Sequence, residues 1–123
     1  MRARLAMLLA AGALSSACAG TGGFPKTQDA GPAVSAAERA VADAQSAGAD
    51  TLAAGVMKDA RMHLDAARGQ MNLRKPAEAE LHAREATADA RYARSVALQL
   101  TAERSRSDAQ TALSALPPQE ENR

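Results

Sequence analysis

Between residues 35 and 116, apolar side chains recur at alternating spacings of three and four. That spacing marks helices with one narrow apolar seam. The longest run is Ala79, Ala83, Ala86, Ala90, Ala93, Ala97 and Leu100. Neither Gly nor Pro interrupts the chain from Ala77 to Leu116, so the pattern predicts one long helix from Pro76 to Leu116, stopped by Pro117-Pro118. Met57, Ala60, Leu64, Ala67 and Met71 form a second seam. They predict a helix capped by Asp50 or Thr51, ending near Met71 with Asn72 as its C-terminal cap. Ahead of it, Ser35-Ala36-Ala37-Glu38 matches a capping box and predicts a first helix to Ala47, with Gly48 closing it. The seam of this helix is Ala37, Val41 (or Ala40), Ala44 and Ala47.

Only Leu73-Arg74-Lys75 separates the second and third helices, and Pro76 suits a first helical turn. So short a turn forces the two helices antiparallel. Folding about it sets Met71 near Ala79, Ala67 near Ala83, Leu64 near Ala86, Ala60 near Ala90 and Met57 near Ala93, so that large mostly faces small. The expected fold is all-α: an antiparallel helical hairpin or slender three-helix bundle with a long C-terminal helix. At 1.5 Å per residue that helix is about 60 Å long, roughly twice its neighbour. Its second half therefore has less of its own chain to cover it. Val96, Leu98, Leu100, Leu113 and Leu116, with Tyr92 beside the seam, are the expected partner-binding residues. The partner would be a second copy of the chain or another envelope protein.

Composition sharpens this picture. Alanine is the commonest residue; it favours helix and brings almost no side chain to bury. Phe24 and Tyr92 are the only aromatic residues, which argues against base-stacking surfaces. Lys and Arg number 15 against 14 Asp and Glu, so no bulk field draws the chain to nucleic acid.

The first residues carry an address. Arg2 and Arg4 precede the acid-free apolar run Leu5–Leu14, then Ser15-Ser16-Ala17 and the single cysteine, Cys18. A basic start, a short apolar stretch and small residues are the parts of a secretory signal, and the apolar run is too short to span a bilayer. Cys18 after small residues resembles the lipobox of bacterial lipoproteins. There the cysteine is acylated and becomes the mature N-terminus. Ser15 stands where that motif usually has Leu. The alternative is ordinary cleavage at Ala17-Cys18-Ala19. The lipobox reading divides the chain into a signal peptide (1–17), a flexible Gly- and Pro-rich tether (18–32) from acylated Cys18, a helical domain (33–116) and a disordered tail (117–123). Ala19 and Gly20 follow the cysteine. In enteric-type bacteria an Asp there would resemble an inner-membrane retention signal, so the expected place is the outer membrane, facing the periplasm.

Chemistry is sparse. The sequence shows no phosphate loop, dinucleotide fingerprint or nucleophile elbow, so no enzyme activity and no cofactor are expected. His63 and His82 fall beside the seams, roughly 7 Å apart along the hairpin axis. Asp59 and His63 lie one turn apart and offer two metal ligands, short of the three or four a metal site needs. No metal site is therefore expected; periplasmic ligand or metal binding through Asp59, His63 and His82 is the alternative function. Arg84, Arg91 and Arg94 share a broad side of the third helix with Glu80, Glu85 and Asp89, a pattern of interspersed solvating charge.

Three segments carry a family resemblance. They are Glu38–Ala44 in the first helix, Ala60–Ala67 in the second, and Ala77–Ala86 with Ala88–Ala93 in the third. Through them, residues 35–98 resemble the short helical lipoproteins of the family named domain of unknown function 4398. The resemblance implies a membrane-tethered periplasmic helical module and carries no functional residues with it. The expected role is structural or adaptor, through helix–helix contacts in the cell envelope.

Overall fold

A computed structural model describes residues 29–117. The expected signal peptide, Cys18, most of the expected tether and the tail beyond Pro117 lie outside the described residues. The fold is all-α, with helices α1 (Gly31–Ser46), α2 (Ala49–Leu52), α3 (Ala54–Asn72) and α4 (Pro76–Ser114). No described helix is long and apolar enough to cross a membrane.

Helix α1 begins four residues before the predicted Ser35. Asp29 Oδ1 accepts a hydrogen bond from the Gly31 amide at 2.8 Å, which satisfies one of the open amides of the first turn. Pro32 follows in that turn, where its missing N–H costs nothing. Gly31 and Pro32, expected in the tether, are therefore helical, and Ser35 with Glu38 forms no capping box. At the other end Gly48 adopts φ +80°, the left-handed conformation expected of it.

The second predicted helix is split. α2 is a single turn, and Ala53 at φ −138°, ψ 41° separates it from α3. Asp50 and Thr51 thus lie within α2 and do not cap α3. Ala49 and Ala53 both turn into the core. α3 ends at Asn72 with a Schellman closure. Arg74 N–H donates to the Met71 carbonyl at 3.0 Å and Lys75 N–H to that of Gln70 at 2.9 Å. Arg74 occupies the left-handed position at φ 57°.

α4 is the common wall of the bundle, packed along both α3 and α1, while α1 and α3 touch less. The core is a lattice of alanines. Ala79, Ala83, Ala86, Ala90, Ala93 and Ala97 of α4 are fully buried, as the seam predicts. Facing them are Met57, Ala60, Leu64 and Ala67 of α3, and Ala37, Ala40, Val41 and Ala44 of α1. Met71, predicted as the last seam position, is 36% exposed because the bundle opens at the turn. Alanine on α4 lets the backbones approach closely, and the few larger side chains of α3 and α1 fill what remains.

Candidate functional site

Two features stand outside the packed core. The first is the end of α4. At 39 residues it is twice as long as the 19-residue α3, and the bundle stops near Leu100. Every residue from Thr101 to Pro117 is exposed. The seam pattern continues here as Arg104, Ser107, Thr111 and Ser114, all polar, so the intramolecular face ends where its cover ends. The apolar residues move to another side. Leu98, Ala102, Ala109, Leu113 and Leu116 share one stripe. At 100° per residue that stripe lies roughly half a turn around α4 from Ala93 and Ala97. Leu113 is 68% and Leu116 62% exposed.

The six expected partner-binding residues do not form one surface. Val96 packs against the core. Leu100 is half-buried on the seam side. Tyr92 is exposed at bundle level, on a different side from the distal stripe. Leu113 and Leu116 belong to the free arm. The residues that complete their stripe, Leu98, Ala102 and Ala109, are spaced four, seven and four with Leu113. The change of side was legible in that spacing once the α4 seam was known to end at Leu100.

The second feature lies between α3 and α4. The imidazoles of His63 and His82 stack with centroids 6.1 Å apart and planes at 22°. Glu85, one turn beyond His82, reaches both. His82 Nδ1 lies 3.0 Å and His63 Nδ1 3.1 Å from the same oxygen, Glu85 Oε2. Asp89 Oδ2 stands 3.7 Å from Nε2, the other nitrogen of His63. All four side chains are partly exposed, so the group is open to solvent. His63, His82 and Glu85 are the set that brings three metal-ligating atoms together among the described residues. Asp59, paired with His63 in the sequence reading, is not among them. Glu85 and Asp89 were read as solvating charge. Their part depends on the α3–α4 register, although the His82–Glu85 spacing of three was visible in sequence.

The arginines of α4 also divide. Arg84 pairs with Glu80 on its own helix. Arg91 and Arg94 face a shallow groove against α1, shared with Arg39 and Asp43.

The described chain is thus a three-helix, alanine-cored bundle with a projecting helical arm. Scans against family models, curated proteins and solved structures gave no match.

Proposed function

We propose that the protein is a lipid-tethered helical module of the outer membrane, facing the periplasm, which builds envelope structure by pairing its α4 arm with that of a second copy. The observation that carries this reading is the arm itself. A helix with no core of its own is marginal in water, and exposed leucines on one stripe call for a cover.

The stripe supplies a reason to choose a second copy. Leu98, Ala102, Ala109 and Leu113 are symmetric about the midpoint between Ser105 and Arg106. An antiparallel pair in that register sets Leu98 against Leu113 of the second copy and Ala102 against its Ala109. A self-complementary surface of this kind gives a closed two-fold dimer. The contact is small, and tethering both copies to one membrane through Cys18 raises their effective concentration. The resemblance of residues 35–98 to the domain of unknown function 4398 lipoproteins agrees with such a module.

The test uses cell envelopes. A chain carrying Leu98→Cys and Leu113→Cys is expected to form a disulfide-linked dimer on mild oxidation, whereas Arg104→Cys, on another side of the arm, is not. Cys18→Ser is expected to move the chain from the membrane to the soluble fraction. Equal trapping at both positions, or membrane retention without Cys18, contradicts the corresponding half of the proposal.

A further inference from the structure

We infer that His63, His82 and Glu85 form a binding site for a divalent transition-metal ion of the zinc type, clamping α3 to α4. Two imidazole nitrogens from different helices converge on one carboxylate oxygen at 3.0 and 3.1 Å. In a tetrahedral zinc site with bonds of about 2.0–2.1 Å, neighbouring ligand atoms sit about 3.3 Å apart. The three ligand atoms already lie within 4.8 Å of one another. Small side-chain rotations therefore suffice to open them around an ion, with no movement of either helix.

Asp89 adds the outer shell. Its carboxylate stands 3.7 Å from His63 Nε2, too far for a hydrogen bond as it stands. An ion bound at Nδ1 would displace the proton from that nitrogen and leave Nε2–H facing Asp89. Solvent exposure leaves room for water as a fourth ligand. Two nitrogen donors out of three favour zinc, copper or nickel over magnesium and calcium, which prefer oxygen. The site is independent of the arm, because it lies within the bundle between two packed helices.

The ion is expected to act as a staple. Anything that binds the folded hairpin and not the unfolded chain raises its stability by mass action. His63 lies 19 residues before His82 in the chain and on a different helix, so the full set of three ligands comes together only once α3 and α4 have paired.

The experiment is calorimetric titration of the full chain with zinc chloride near neutral pH, every sample carrying Cys18→Ser so that no free thiol competes. Heat saturating at one ion per chain is expected, with a thermal midpoint raised by at least about 5 °C at saturation. His63→Ala, His82→Ala and Glu85→Gln should each weaken binding at least tenfold, and Asp89→Asn by about 10–100-fold. A hundredfold excess of magnesium should not displace zinc, and Leu113→Lys should leave binding unchanged. Circular dichroism checks that each variant is helical. Glu85→Gln and Asp89→Asn alter partly exposed side chains outside the core, so they carry the test if a histidine variant fails to fold. Absence of saturable heat, or unchanged affinity in Glu85→Gln, overturns the assignment.

Discussion

Arg68 Nη2 lies 2.8 Å from Glu38 Oε1, and Nε of the same guanidinium donates to that oxygen at 3.2 Å. The pair joins α3 to α1, the two long helices that touch least. The hydrogen bond to Glu38 is the main cause that holds the Arg68 pKa above its ordinary value; partial burial opposes it and Asp65 adds to it. A cation whose pKa is raised by folding contributes stability at every pH below its unfolded value. It loses that contribution only as pH rises through the folded value, beyond about pH 12 for arginine. Both side chains are about half exposed, so the contribution is screened. Glu38→Gln should therefore lower stability by about 0.2–1 kcal/mol in urea unfolding. The loss should be the same at about pH 6 and pH 9 and should shrink in high salt.

Met57 is the largest side chain that the bundle buries completely. With alanine at most other core positions, few neighbours can collapse into the space it leaves. Met57→Ala should cost about 2–5 kcal/mol, a large part of the total for so small a domain. The opposite change is equally informative. Ala90 has no exposed surface, and α4 reaches its neighbours only because that residue is small. Ala90→Leu should cost about 1–3 kcal/mol or drive the helices apart, while Ser107→Leu, at an exposed arm position away from the apolar stripe, should stay within about 0.5 kcal/mol. Thermal unfolding followed by circular dichroism separates the three.

Arg74 holds the left-handed position of the α3–α4 turn at φ 57°, where a side chain with Cβ is strained by roughly 1–2 kcal/mol. Glycine removes that strain and loses some of the gain to its freer unfolded state. Arg74→Gly should raise stability by about 0.5–1 kcal/mol and the midpoint by a few degrees. Arg74→Val should lower it, because a β-branched residue tolerates this conformation poorly.

The spacing of apolar residues located nearly the whole core. Six α4 alanines and four α3 residues were placed by periodicity alone, and Gly48 and Pro76 marked turns through conformational preferences that are local. What escaped was set by contacts beyond the local sequence pattern. Glu38 looked like half of a capping box because Ser35 stands three residues before it; the structure gives the helix an earlier start at Gly31 and gives Glu38 to Arg68, thirty residues away. Ala53 breaks the second helix, although nothing in an alanine signals a break. His63 and His82 were expected roughly 7 Å apart along the hairpin axis, and their rings stack with centroids 6.1 Å apart; Glu85 and Asp89 become their partners only through side-chain directions across the α3–α4 seam. The partner-binding residues were chosen by size and position along α4. Their angular placement divides them, because the apolar stripe changes sides after Leu100.

The most direct test of the account is site-specific photo-crosslinking from Leu113 in living cells, with the joined peptides identified by mass spectrometry. Antiparallel pairing of the arms predicts crosslinks to the segment around Leu98 of a second copy, abolished by Leu98→Lys. Crosslinks to a different envelope protein alone, or none from an arm whose residue 113 is exposed, would contradict self-pairing as the role of α4.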